Sequence, residues 1–154
     1  MSYSYDNQNI FAKILRGEIP NNTLLETAHS LAFHDIHPQA PIHVLVIPKG
    51  PYVTYDHFAQ TASDAEILDF TRAIGEVCRV TGVQPGEDGN GFRAIANAGA
   101  DGVQDVPHLH VHIMGGRNMG RMVTQQYPSM GLASNQAIAH SYQARGSANR
   151  SIRP

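Results

Sequence analysis

The sequence predicts an α+β domain: an antiparallel sheet of about five strands, accompanied by two helices. Three observations carry the prediction. Several short runs are rich in β-branched and other apolar residues and are bounded by Gly, Pro, Asn or Asp. Two other stretches place apolar residues at three- and four-residue steps. Most of the strand-like runs follow one another directly, with the helical stretches set apart, in the order α-β-β-β-α-β-β and then a polar tail.

The first helix is read in NIFAKILRGEIP, where Ile10, Phe11, Ile14 and Leu15 share one face and Gly17 and Pro20 end it. TLLET (23–27) and SLAFHDI (30–36) are two strands joined through Ala28 and His29. HPQAP (37–41) turns the chain into IHVLVIPKG (42–50), its most strand-like run. The second helix opens on Ser63 and Glu66, the S-x-x-E pattern of a capping box. It continues through Ile67, Phe70, Ile74, Val77 and Cys78, and Gly82 stops it. QPGEDGNG is a loop, FRAIANAG (92–99) a strand, and GADGVQDVP a second loop before the last strand, HLHVHIM. Residues 117–154 are rich in Ser, Gln, Asn, Arg and Gly. They read as a polar tail with a short helix near 134–144, partly flexible or packed on a partner subunit.

Composition narrows the function classes. With 154 residues the chain can bury one core. A net charge of −2 gives no broad basic face for nucleic acid. The single cysteine, Cys78, rules out an internal disulfide and any zinc site built on two thiolates. No apolar run approaches the ~18–20 residues of a membrane span, and the N-terminus lacks the apolar core of a signal peptide. A soluble, cytoplasmic protein is the expectation.

PHLHVHIMGG (107–116) holds the informative chemistry. A strand alternates faces, so His108, His110 and His112 project from one side while Leu109, Val111 and Ile113 enter the core. Side chains two apart stand roughly 7 Å from one another, which makes a row of imidazoles rather than a cluster. Two uses of such a row stay open from the pattern alone. An H-x-H pair can chelate a metal if another residue, with His43 a candidate, completes the site. Alternatively, one neutral imidazole attacks phosphorus while a neighbour carries the proton for the leaving group. NAGADGVQDV, directly before the strand, can present backbone N–H groups to a phosphate.

HLHVHIM also fits the signature of the histidine triad (HIT) family. NIFAKILRGEIP, LAFHDIHPQAPIHVLVIPKG and NAGADGVQDVPHLHVHIMGGR, in this order, resemble its Hint branch over residues 8–120. The resemblance implies a HIT domain at 1–120 and a tail at 121–154, in a homodimer with one sheet continuous across both subunits. It implies a nucleotidyl hydrolase or transferase acting on nucleoside 5′-phosphoramidates or related purine nucleotide adducts through a covalent nucleotidyl-histidine intermediate. The neighbouring alternatives are a dinucleoside polyphosphate hydrolase and a nucleotide-binding module with slow hydrolysis. No catalytic metal or cofactor is implied, and no nucleic acid or membrane partner.

By the same resemblance His110 is the nucleophile, His112 serves the phosphate and leaving group, His108 orders the site through its backbone carbonyl, and His43 is a fourth histidine of the network. Asp35 matches the carboxylate that binds the ribose hydroxyls. Ile36, Phe33, His34, Ile10, Phe11 and Ile14 match the base pocket, Asn97 the amide that binds phosphate, and Gln104 the loop glutamine. Two positions depart from the usual G-G-Q-S block: Val103 replaces its second glycine, and Asp105 replaces a phosphate-contacting serine. A positive φ at Val103 would be strained, and a carboxylate at 105 repels phosphate unless protonated, turned away or paired. Phe11 and Ala12 stand where some bacterial relatives carry zinc-binding cysteines, so no structural zinc of that kind is expected.

Overall fold

The computed structural model describes residues 3–124. The chain divides into two compact units, Met1–Gly120 and Arg121–Pro154, and the first is treated below. The helix expected near 134–144, and its packing on a partner, lie outside the described residues.

Five strands, β1 (Thr23–Glu26), β2 (Ser30–His34), β3 (Ile42–Pro48), β4 (Phe92–Ala96) and β5 (Val111–Gly115), form one sheet in the order β1-β2-β3-β5-β4. Every pairing is antiparallel. Three helices accompany them: α1 (Ile10–Leu15), α2 (Tyr55–Thr61) and α3 (Asp64–Val80). The α+β class and strand count match the sequence prediction, and the helix count corrects it from two to three. The extra helix, α2, opens on Thr54, whose hydroxyl accepts from the His57 N–H, and buries Phe58. About two turns with a single buried apolar residue have no periodicity to detect.

Alternation along the strands separates two apolar layers. Ala32, Val44, Val46, Val111 and Ile113 pack with Phe70, Ala73 and Val77 of α3. Leu31, Phe33, Leu45 and Ile47 point to the opposite face and pack with Phe11 and Ile14 of α1. α3 starts on the expected capping box, with Ser63 and Glu66 each bonding the other's backbone N–H. It ends before Gly82, whose φ of +70° suits the left-handed turn that closes a helix. No helix among the described residues is long and apolar enough to cross a membrane.

The last strand is shorter than its sequence suggests. The ladder starts at Val111, one residue beyond His110. The Leu109 N–H donates instead to the Tyr52 carbonyl, 2.7 Å away in the loop after β3. His108 and His110 therefore lie ahead of the ladder, and only His112 sits within it, opposite Leu45.

Candidate active site

The three histidines have different surroundings. His108 is fully buried, and its Nε2 lies 2.8 Å from the Pro48 carbonyl. A carbonyl can only accept, so Nε2 carries the proton and Nδ1 the lone pair. The Tyr5 hydroxyl donates to that lone pair at 2.5 Å. The backbone carbonyl of His108 in turn accepts from His110 Nδ1 at 2.7 Å. The same logic leaves the His110 lone pair on Nε2, and His110 lines the adjoining pocket.

A second chain of hydrogen bonds fixes His112. The Gln39 N–H donates to His43 Nδ1 at 3.1 Å, so neutral His43 carries its proton on Nε2. That nitrogen lies 2.9 Å from His112 Nδ1 and 3.4 Å from Asp35 Oδ2. His112 Nδ1 then accepts, and Nε2–H is the group left for the pocket. The ring centroids of His110 and His112 are 5.0 Å apart and those of His43 and His112 5.2 Å. The working cluster is therefore His110, His112 and His43, tighter than an even row, with His108 behind it as a support.

Burial pushes all four imidazoles below the ordinary histidine pKa. His108 falls to about 4, through desolvation with a small contribution from His110 and against the pull of the Pro48 carbonyl. His112 also falls to about 4, through desolvation and then the neighbouring His110 and His43, against the attraction of Asp35 and Asp105. Desolvation lowers His110 too, opposed by its bond to the His108 carbonyl and by Asp105 and Asp35. Desolvation outweighs Asp35 at His43. In the unliganded site every imidazole is therefore neutral at pH 7, which differs from the expectation that a neighbour of the nucleophile carries a charge. Such neutral imidazoles become proton carriers when an arriving anion raises their basicity.

The pocket in front of His110 and His112 has a volume of about 250 Å³. Ile10, Phe11, Ile14, Phe33, His34, Asp35, Ile36 and Asp105 all line it. Ile19, Asn21, Asn22 and Val106 line it as well and were not foreseen. Asp35 Oδ1 accepts from the His37 N–H at 2.7 Å, which holds the carboxylate at the mouth of the turn. Asp105 is exposed on the pocket wall and makes no hydrogen bond among the described residues. Its charge acts on both His110 and His112.

Four expected residues stand outside the pocket lining. His43 and His108 act from behind, through the bonds just given. Asn97 follows β4 and is half-buried, and Gln104 braces the loop. The Gln104 side-chain amide donates to the Val53 and Val106 carbonyls at 2.7 and 3.0 Å and accepts from the Gly99 N–H at 3.2 Å. Both of its donors are thus committed to the protein. Asp35, His43 and His112 bring one possible ligand atom each within 4.8 Å of one another. A cation there would have to displace the proton that His43 shares with His112.

Comparison with known proteins places this arrangement. A family model for the HIT domain matches residues 16–119. The chain belongs to the HIT family. An uncharacterised 13.2 kDa HIT-like protein of Azospirillum brasilense is 53% identical over 126 residues, which cover 81% of this chain and 99% of that protein. Among solved structures, a HIT family hydrolase from Legionella pneumophila is 34% identical, with a TM-score of 0.63 over 79% of this chain and 98% of its own. A histidine triad nucleotide-binding protein from Candida albicans is 25% identical, with a TM-score of 0.72 over 91% of this chain and 98% of its own. HIT family membership thus accounts for the triad strand, the sheet and the pocket together.

Proposed function

We propose that this HIT protein hydrolyses nucleoside 5′-phosphoramidates or related purine nucleotide adducts through a nucleotidyl-His110 intermediate. The observation that carries the reading is the fixed tautomer of His110. Its Nδ1–H is held by the His108 carbonyl, and its Nε2 lone pair remains for the pocket. The aliphatic residues Ile10, Ile14 and Ile36 suit the faces of a purine, and Asp35 suits a ribose diol.

In this reading His110 Nε2 attacks phosphorus and the P–N bond to the leaving amine breaks. The substrate phosphate draws a proton onto His112, and the Nε2–H of that imidazolium is the proton the amine takes away. The nucleotidylated imidazole keeps its Nδ1–H on the His108 carbonyl. Water then attacks the same phosphorus and gives its proton to His112 Nε2, which frees the nucleoside monophosphate, returns His110 to its starting tautomer and restores His112. Incoming phosphate charge favours protonated imidazole, so substrate itself raises the basicity of the neutral His112–His43 pair.

Incubation with an adenosine phosphoramidate, followed by chromatography of AMP, tests the reading. Wild-type protein is expected to turn over, and His110→Ala to lose at least about a thousandfold in kcat, as removal of a covalent nucleophile does. A chelator is expected to leave the rate unchanged. Nucleotide binding without turnover would favour the binding-module alternative. Faster cleavage of dinucleoside polyphosphates than of phosphoramidates would favour the polyphosphate hydrolase.

A further inference from the structure

We propose that Tyr5 is a positioning residue of this site: its hydroxyl locks the His108 ring and, through the His108 backbone, the aim of His110. Tyr5 lies in the segment before α1, ahead of the stretch that the HIT family model matches. The kinetic part of the proposal rests on the reading of His110 as nucleophile.

The argument begins with the inventory of a buried imidazole. Neutral His108 has one donor and one acceptor, and its ring is shut away from water. The donor is used on the Pro48 carbonyl, so the acceptor depends on Tyr5 alone. Without the hydroxyl, Nδ1 is a buried lone pair with no partner, which a protein interior tolerates poorly. The ring cannot escape by changing tautomer, because Nε2 would then set a lone pair against the Pro48 carbonyl oxygen. It must instead tilt or admit water. Any tilt is transmitted, since the carbonyl of this same residue orients His110 and the Phe11 ring packs edge-on against both imidazoles.

The segment is pinned on either side of Tyr5. The Tyr3 ring stacks on His57 of α2 at 4.8 Å, and its hydroxyl donates to Asp56 at 2.5 Å. On the other side the Asp6 carbonyl accepts from the Asn9 side chain at 2.7 Å, and Asn9 caps α1, the helix that supplies Ile10, Phe11 and Ile14 to the pocket. The Tyr5 ring meets His108 edge-on with centroids 5.5 Å apart. Burial raises the Tyr5 pKa, so the hydroxyl remains a donor throughout the working range.

Tyr5→Phe tests this, because it keeps the ring contact and removes only the donor. Two readouts are taken on the full chain, with thermal melting to count folded molecules. In wild-type protein, imidazole 15N spectra are expected to show His108 as a single Nε2–H tautomer. In Tyr5→Phe that signal is expected to broaden or divide. With adenosine phosphoramidate, kcat is expected to fall roughly three- to tenfold, the range for one lost hydrogen bond, while KM stays within about twofold. An unchanged His108 signal overturns the proposal, and so does a kcat that falls only with the folded fraction. If wild-type protein shows no turnover at all, the hydrolase reading fails, and the His108 spectrum still decides the role of Tyr5.

Discussion

At the scale of single residues, Asp105 carries a prediction about the leaving group. No lysine or arginine lines the pocket among the described residues, whereas Asp35 and Asp105 both do. A substrate phosphate therefore meets two carboxylates and neutral imidazoles. A cationic amine on the leaving side would relieve that repulsion. At several ångströms in a partly solvated site, one charge is worth on the order of 1 kcal/mol, a factor of about five in rate. Asp105→Ser is accordingly expected to speed cleavage of phosphoramidates with neutral leaving groups a few-fold and to erase any advantage of cationic ones. Parallel kcat/KM measurements on such a pair check this, and an unchanged ranking would remove Asp105 from specificity. Its neighbour Val103 has a φ of +54°, a region that a β-branched residue occupies only under strain of roughly 1–3 kcal/mol. The loop keeps its turn because Gln104 ties it to Val53, Val106 and Gly99.

At the scale of elements, long periodic segments were legible and short or interrupted ones were not. α3 could be read from its capping box to its terminal glycine because 17 residues repeat a single pattern. β5 could be placed but not bounded, since the alternation of His108, His110 and His112 begins before the ladder does. The pocket residues of α1 and β2 were legible through motif blocks. Tyr5, the Gln39 N–H and the Pro48 carbonyl were not. A backbone group carries no residue signature, and the Tyr5 bond to His108 spans 103 positions of sequence. β4 carries a prediction of its own. It is an edge strand, paired only with β5 among the described residues, and Phe92, Ala94 and Ala96 along it are exposed. An open edge of this kind is a template for another strand. The homodimer implied by the family resemblance would close it by pairing two copies of β4 about a twofold axis. Sedimentation at micromolar concentration is expected to give twice the chain mass of 16.8 kDa. A monomer would rule out this use of the edge.

At the scale of the whole molecule, the buried histidines make the fold depend on pH. His108 and His112 have folded pKa values of about 4, well below the ordinary 6.5 of the unfolded chain, and burial lowers His43 and His110 in the same direction. Between the two limits the unfolded state binds more protons than the folded state, so stability rises with pH through that window and is lost as pH falls. His108 and His112 each contribute a slope of at most about 1.4 kcal/mol per pH unit there. The carboxylates held down by hydrogen bonds, Asp69 by Thr27 and Ser30 and Glu66 by Ser63, begin to destabilise the fold only near their ordinary values around 4. The interval from pH 6.5 to 5 therefore isolates the histidines. Urea unfolding across it is expected to show a midpoint that falls steadily, with a shallower fall in His112→Asn, which removes one of the titrating groups. Activity is expected to outlast the ordinary titration of histidine, because the lowered pKa of His110 keeps its lone pair available below pH 6.5. A midpoint that stays level from pH 6.5 to 5 would show that these imidazoles are solvated rather than shut in. It would also remove the basis for a neutral nucleophile held in place by its neighbours.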